Sequence, residues 1–401
     1  MKVAHIITGL GVGGAEQQLR LLLRHLPARC DVFTLTAPGA VAEGILADGH
    51  RVTHLGMGGN CDVTVLPLLV QLIRDGGYDL VHTHLYRACL YGRLAARLAG
   101  VRAVIATEHS LGEKEIEGRP LNFGVRALYL AAERLGCSTV AVSATVARRL
   151  RKWGVPASRV HTVPNGIDAS RFRFDAALRA GTRARLGIPE GAFVVGGVGR
   201  LVPGKHFETL VRAVAVLPDA HLLLAGDGPE HGNLRAIVEA LGARDRIHLL
   251  GECDGTVAAS GAGGEWEIPG VLSAMDVFVS PSSEESFGLA VLEALAAGLP
   301  TLYVTCPAVE DLPPEEAPGA RRIGTGVPQL TALLREYRTA GARRLPVPPV
   351  VERYDIARSA ERLMALYHAA TSTAPQLPAP APPAVAPAPS PAPPTLPMTT
   401  R

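Results

Sequence analysis

The sequence lacks paired cysteines, lacks an excess of either charge, and lacks an apolar stretch long enough to cross a bilayer. Its six cysteines, Cys30, Cys61, Cys89, Cys137, Cys253 and Cys306, stand singly with no C-x-x-C among them, which argues against a disulfide scaffold and a structural zinc site. Buried free thiols in a reducing compartment are the expectation. Forty basic side chains against 37 acidic ones leave a net charge of +3, so no overall field points to nucleic acid as a partner. The most apolar stretch runs from Val63 to Ile73 and ends at Arg74-Asp75, well short of the ~18 to 20 residues that span a membrane. The opening Met-Lys-VAHIIT has too short an apolar run for a leader peptide and reads as a first strand. These absences point to a cytoplasmic protein, with at most peripheral contact at the inner face of the membrane.

What is present fits a two-domain globular body. The chain has 401 residues, 47% hydrophobic and 19% charged, enough for two domains with a core each. Short β-rich runs alternate with helical patterns from the start, the mark of βαβ units and parallel sheets. VAHIIT leads into AEQQLRLLLRHL, where Leu19, Leu22, Leu23 and Leu26 fall on one helical face. Further strands are expected in DVFTLT, RVTHLG, DLVHTH, AVIATEH and STVAVS. The pattern breaks at Val163-Pro164-Asn165-Gly166-Ile167-Asp168 and resumes with FVVGGVGR, which places a domain crossing there. The expected layout is a first doubly wound domain over 1–165, a second over 166–352, a helix over 353–372 and a disordered Pro/Ala-rich tail over 373–401. Gly255 to Glu267 is rich in Gly, Ala and Ser and is expected to be an exposed loop.

Two such domains make a cleft between the carboxyl edges of their sheets, so the chemistry belongs at strand ends. Gly9-Leu10-Gly11-Val12-Gly13-Gly14 fits G-x-G-x-x-G, yet the second strand ends in Thr36, Ala37 and Pro38 where a dinucleotide site wants an acidic residue. The loop is either a tight turn with close helix packing or a lining of the cleft beside a phosphate, with Gly13 and Gly14 nearest. In the second half, Gly199-Arg200 closes a strand and Lys205 follows five residues on. A planar guanidinium and a compact ammonium together suit a departing diphosphate; the alternative is two solvated surface cations. Glu285 and Glu293 follow the strand VFVS at a spacing of eight residues. With a helix starting near Phe287, they stand about 12 Å apart at most, which suits the two ends of a nucleotide sugar. Glu285 then accepts from sugar hydroxyls and Glu293 from ribose hydroxyls, while Ser286 and the N–H groups of Phe287, Gly288 and Leu289 face phosphate or sugar oxygens.

His82, His84 and His109 end neighbouring strands, and either line the cleft or, as the less favoured reading, hold a metal. The run Arg148-Arg149-Leu150-Arg151-Lys152-Trp153 reads as a solvated helix end, or else as a basic patch that meets anionic lipid or a lipid-linked acceptor.

Taken together, GGAE (13–16), ATEHS (106–110), VPNGID (163–168), VGRLVPGK (198–205), AGDGPE (225–230) and the E-x7-E element from Glu285 to Glu293 with EALAAGLP behind it resemble the retaining glycosyltransferase family 4 of the GT-B fold. The pieces occur in family order over about residues 1 to 305. The resemblance implies an EC 2.4 hexosyl transfer from a nucleotide sugar, UDP- or GDP-linked, to a glycan, a lipid-linked or another hydroxyl acceptor in polysaccharide or glycoconjugate synthesis. It also implies retained anomeric configuration, no metal held through D-x-D, no tightly bound cofactor and no nucleic acid partner. By resemblance, Arg200 and Lys205 match the diphosphate-binding pair, Glu285 the residue at the donor sugar, Glu293 the ribose ligand and His109 the histidine that closes over the donor sugar. The sequence departs from the family where Tyr303 to Glu310 lacks a Gly-Gly pair, and where 251–268 carries the Gly-rich insertion. A nucleotide-sugar epimerase of similar fold, and a catalytically silent scaffold recruiting partners through its proline tail, are the alternatives.

Overall fold

The computed structural model of the chain describes residues 1–113, 115–117, 119–253, 266–341 and 343–373. The expected Gly-rich loop lies outside the described residues except at its C-terminal end, and so does the Pro/Ala tail beyond residue 373.

The first sheet contains seven parallel strands: β1 (Lys2–Ile7), β2 (Arg29–Thr34), β3 (Arg51–His54), β4 (Leu80–His84), β5 (Val104–Glu108), β8 (Ser138–Ala141) and β9 (Val160–Thr162), in the order β3-β2-β1-β4-β5-β8-β9. A small antiparallel hairpin, β6 (Glu115–Ile116) and β7 (Arg119–Pro120), projects after β5. The second sheet is also parallel, with β10 (Phe193–Val198), β11 (Ala220–Ala225), β12 (Ile247–Gly251), β13 (Val277–Ser280), β14 (Thr301–Tyr303) and β15 (Ala320–Arg322) in the order β12-β11-β10-β13-β14-β15. Both are doubly wound, so each has one point where the chain reverses its direction of growth: between β1 and β4, and between β10 and β13. Ligands of open α/β sheets bind outside the carboxyl ends of strands at such points.

The strands read as near-continuous apolar runs because helices cover both faces. Every residue of β4 is buried, and β10 is buried through Gly197. One face of the first sheet packs Ile6, Phe33, Val81 and Val104 against Leu69, Ile73, Ala88 and Ala95. Its other face packs Val3, Ile7, Leu19 and Leu22 with Ile356, Ala360, Leu363, Met364, Tyr367 and Ala370. These last six belong to the final helix, Ile356–Thr373, so the end of the chain completes the core of its beginning. Among the described residues no helix is long and apolar enough to cross a membrane.

The chain passes between the halves twice, at Gly166-Ile167 and at Tyr354 to Ile356. Ile167 N–H donates to Tyr354 O at 2.8 Å and Ile356 N–H donates to Ile167 O at 3.1 Å, a two-bond parallel bridge. The close approach explains Gly166, since a Cβ there would sit 2.6 Å from the Ile356 Cα and 3.0 Å from its nitrogen. Backbone cannot rotate aside as a flexible side chain can. Gly166→Ala is expected to lower the free energy of unfolding by about 1–3 kcal/mol. Gly181→Ala, in the helix Ala176–Arg185 with open space at its Cβ position, should raise it by about 0.5–1 kcal/mol. Urea midpoints of the two variants check both signs.

Candidate functional site

The loops at the two switch points face each other. After β1, Gly9 to Gly13 lead into the first helix, Gly14–His25. A Cβ on Gly14 would lie 3.5 Å from Leu289 Cδ1, so this loop meets the segment that follows β13. Glu16, in the first turn of the helix, folds its carboxylate back over Gly13, whose Cβ would sit 2.4 Å from Glu16 Oε2. Burial lifts the Glu16 carboxyl to about 7, and Glu117 adds to the rise, while its own backbone N–H and the Arg200 guanidinium pull the other way. Glu16 from the first half and Arg200 from the second are therefore electrostatic neighbours across the cleft.

In the second half, the loops after β10 and β13 are tied together. Ser283 N–H donates to Gly204 O at 3.3 Å, and His206 Nε2 lies 2.8 Å from Ser283 Oγ. His206 holds a left-handed backbone, φ +51°, directly before the helix Phe207–Ala215, a strained conformation for a residue with a Cβ. Between these loops Lys205 Nζ and Glu285 Oε1 form an ion pair. Gly199 and the exposed Arg200 sit on the same turn. The helix carrying Glu293 starts at Leu289, not near Phe287 as the sequence led us to expect. Gly288 stops it from starting earlier: its φ is +106°, and Cys306 Sγ would be 2.5 Å from an added Cβ. Phe287 is buried edge-to-face on Tyr354, ring centres 5.0 Å apart. Glu293 therefore stands little more than one turn into the helix. No described residue accepts from the backbone N–H groups of Phe287, Gly288 and Leu289, and Ser286 is half-buried beside them.

Glu293 lines a pocket shared with Gln18 and Arg24 of the first helix, Gly166 and Arg171 of the crossing, and Leu289. Burial raises its carboxyl to about 7, with Arg171 pulling downward. Arg171 was not among the residues the motifs single out. Neither were Glu16 and Glu117, although Glu16 closes the GGAE element.

The histidines differ from expectation. His82 and His84 are fully buried rather than lining the cleft, His82 beneath Tyr367 of the final helix and His84 between His5 and His109. His82 Nε2 is 2.7 Å from Thr107 Oγ1 and its Nδ1 is 2.5 Å from Tyr367 OH. His84 Nε2 lies 3.1 Å from His5 Nδ1, and its Nδ1 lies 3.2 Å from His109 Nε2. His5, His82 and His84 each offer one ligand atom within 4.8 Å of the others, yet the nitrogens of His82 and His84 already have partners in side chains. His109, 7% exposed, is the outermost of this chain of rings. Burial drives all four below the ordinary histidine value, His5 to about 3 and His109 to about 4. Beneath the same edge, burial lifts the Glu108 carboxyl to about 7 against the pull of Arg93.

Two carboxylates of the second half close the cleft at its rim. Asp311 accepts from Thr145 N–H and Thr145 Oγ1, both at 3.0 Å, and pairs with Arg148 at 3.2 Å. Glu284 accepts from Glu113 N–H and lies 3.9 Å from Arg149. Half of the basic run thus faces the other domain. Its Trp153 is buried edge-to-face on Tyr129 and so is not offered to a lipid surface, contrary to the membrane reading of that run. The thiols also depart in part from expectation: all six are free, but Cys61 is exposed and Cys137 is only half-buried.

With this geometry in place, comparison with known proteins is specific. Residues 12–171 match the pattern of Glycosyltransferase Family 4, and residues 179–313 that of Glycosyl transferases group 1. The chain is 30% identical over 322 residues to D-inositol 3-phosphate glycosyltransferase of Streptomyces scabiei, covering 73% of this chain and 70% of that protein. It is 29% identical over 255 residues to the UDP-Gal:alpha-D-GlcNAc-diphosphoundecaprenol alpha-1,3-galactosyltransferase of Escherichia coli, where the match takes in 60% of this chain and only 61% of that protein. The fold is similar to that of Anabaena HepE in complex with UDP and glucose, with a TM-score of 0.78 at 20% identity, over 92% of this chain and all of that one. Sucrose-phosphate synthase from Thermosynechococcus elongatus superposes with a TM-score of 0.72 at 21% identity, over 93% of this chain and all of that one.

The buried titratable groups predict an unusual acid profile. The folded protein keeps the four buried histidines of this cluster neutral, whereas the unfolded chain protonates them below about pH 6.5, so each subtracts stability as pH falls from there. Glu16, Glu108 and Glu293 act oppositely: the folded state takes up their protons near 7 and the unfolded chain only near 4.5, so each adds stability over that interval. From pH 6.5 to 4.5 the two trends offset each other. Below about 4.5 the histidines act alone, at about 1.4 kcal/mol per pH unit each. Urea midpoints should be nearly level between pH 7 and 5.5 and much lower at pH 4; a steady decline from pH 6.5 would show that the carboxyls are not lifted.

Proposed function

This chain belongs to glycosyltransferase family 4, retaining enzymes of the GT-B fold, and from that premise we propose that it transfers a hexosyl group from a UDP-sugar to a hydroxyl of a glycan or lipid-linked acceptor. The observation that carries this reading is the Lys205–Glu285 ion pair at the second switch point, with Arg200 on the same loop. A diphosphate entering there takes the ammonium and the guanidinium, and frees Glu285 to accept from hydroxyls of the sugar. The backbone N–H groups of Phe287, Gly288 and Leu289 supply further donors at a helix start, where anions are favoured. Glu293, in the pocket it lines with Arg171 and Leu289, takes the ribose. Gly13, Gly14 and Gly199 let the backbone approach the phosphates, and His109 closes over the sugar from the first half.

The transfer needs no protein base. The acceptor oxygen bonds to the anomeric carbon on the face from which the diphosphate leaves, the old carbon–oxygen bond breaks, and the hydroxyl proton passes to the departing phosphate oxygen. Arg200 and Lys205 stabilise the charge that develops on that oxygen. UDP is favoured over GDP because UDP occupies HepE and the Escherichia coli relative is named for UDP-Gal. A cytoplasmic site of action with peripheral membrane contact is supported by the helix Phe123–Glu133: Phe123 is 87% and Leu128 53% exposed, with Arg126, Arg151 and Lys152 exposed nearby, a pattern suited to an anionic lipid surface.

Thermal stabilisation across UDP-, GDP- and ADP-sugars tests the donor site without an acceptor, since a ligand of the folded state raises the melting temperature. UDP-sugars should raise it, with the shift lost in Glu293→Ala and Lys205→Ala. With an acceptor in hand, Lys205→Ala should reduce kcat by about 10²–10³. No shift with any nucleotide sugar at millimolar concentration would overturn the proposal.

A further inference from the structure

Two arginines of the first half converge on one residue. Arg87 lies in the first turn of the helix Tyr86–Ala99, just after β4, and Arg119 opens β7. Both donate to one oxygen, Asn60 Oδ1: Arg87 through Nη2, and Arg119 through Nη2 at 3.1 Å. Tyr91 OH donates to the Asn60 carbonyl at 3.2 Å and so fixes the residue on which they converge. Arg119 also pairs with Glu117 Oε2 at 3.3 Å and lies over the Tyr86 ring, 5.5 Å from its centre. The other oxygen of Glu117 accepts from Tyr86 N–H. Glu117 thus pairs with Arg119 and acts on Arg87 only electrostatically, and the Arg87 Nε is buried with no hydrogen-bond partner.

Such an arrangement costs stability as it stands. A buried donor without an acceptor forfeits its hydration, and two like charges held on one carbonyl oxygen repel each other. Burial and the Arg119 guanidinium both push Arg87 below an arginine's ordinary value, with Glu117 opposing them. The backbone shows strain at the same place, where Leu85 and Glu117 hold left-handed conformations, φ +73° and +51°. Strain of this kind persists where the surroundings over-determine it, and it clusters at ligand sites.

The location narrows the ligand. Arg87 follows β4 at the switch point between β1 and β4, and the next residue's N–H, that of Ala88, donates to Thr8 Oγ1 after β1 at 3.3 Å, so the arginine pair stands at the cleft edge of the first sheet. We infer that Arg87 and Arg119 seat a phosphoryl group of the acceptor, making this a transferase for phosphorylated acceptors, either a sugar phosphate or a lipid-linked diphosphate. Two guanidinium forks, one of them with a buried N–H that has no partner, match a group with three outer oxygens and up to two negative charges better than they match a carboxylate. The term acceptor rests on the transferase reading above; the anion site itself does not.

The test uses the full chain and two probes, N-acetylglucosamine 1-phosphate and farnesyl diphosphate, each against its parent alcohol. Affinity is measured by calorimetry without nucleotide and with saturating UDP, which occupies Arg200 and Lys205. At least one phosphorylated probe should bind the UDP-loaded protein ten times or more tighter than its parent, and the better probe tells a soluble acceptor from a lipid-linked one. Arg87→Ala and Arg119→Ala should each weaken that binding by about tenfold to a hundredfold while keeping the UDP-induced thermal shift, which reports that they fold. Arg87→Lys, which keeps the charge without the fork, should fall between. Equal binding of phosphorylated and parent probes would overturn the inference. So would phosphate binding that UDP abolishes and that Lys205→Ala removes, because the anion then sits in the donor site. Should UDP fail to bind wild type, the donor reading falls, and the nucleotide-free comparison of Arg87→Ala with Lys205→Ala still decides the arginine site.

Discussion

Two backbone hydrogen bonds between Ile167 and the segment Tyr354 to Ile356 fix how the halves of this protein are joined, and the cleft depends on them. Each half is a sheet with its own covering helices, and a single covalent connection would let them swing. The chain crosses between the halves twice, and the bridge ties the two crossings to each other. It places Arg171 and Phe172 against the helix that carries Glu293, and it sets the direction in which the final helix leaves for the first sheet. Gly166 is the residue that allows the two strands of the crossing to lie so close, since no side chain fits between it and Ile356.

Charge is distributed over the cleft with a division of labour. The second half presents Arg200 and Lys205, with Glu285 as a resident anion; the first presents Arg87 and Arg119, with Glu117 in the same capacity. Glu16 stands between the two groups. Carboxylates that hold cations in the absence of ligand keep the guanidinium and ammonium groups oriented, so that an incoming anion exchanges partners instead of ordering flexible side chains. At the rim, Asp311 and Glu284 use the same chemistry for a different end, joining the halves across the opening.

Much of the fold was legible in the sequence for a physical reason. Strands of a parallel sheet covered on both faces are apolar throughout, so VAHIIT or FVVGGVGR stands out from the periodic helices beside it. The placement of Lys205, Glu285 and Glu293 at the sheet edge was legible because each follows a strand closely, and local spacing then fixes its position. The groups packed around them were not, since Glu16, Glu117 and Arg171 come near only through packing between segments far apart in the chain. His82 and His84 misled for a related reason: strand ends usually open to the cleft, and nothing in LVHTH reveals that Tyr367 packs on His82 from 285 residues later, or that His5 and His109 enclose His84. The helix start at Leu289 depends on the Gly288 backbone sign and on Cys306 behind it, neither of which the apolar period encodes.

The final helix has a consequence for how the protein is made. Ile356, Leu363 and Tyr367 complete a core whose other members begin at Val3, so the first sheet emerges from the ribosome long before the helix that covers one of its faces. Until then Leu19, Leu22 and Val3 are exposed in part and the buried histidines are open to water. One face of the amino-terminal half, although the first to be translated, thus stays uncovered until almost the whole described chain has been made.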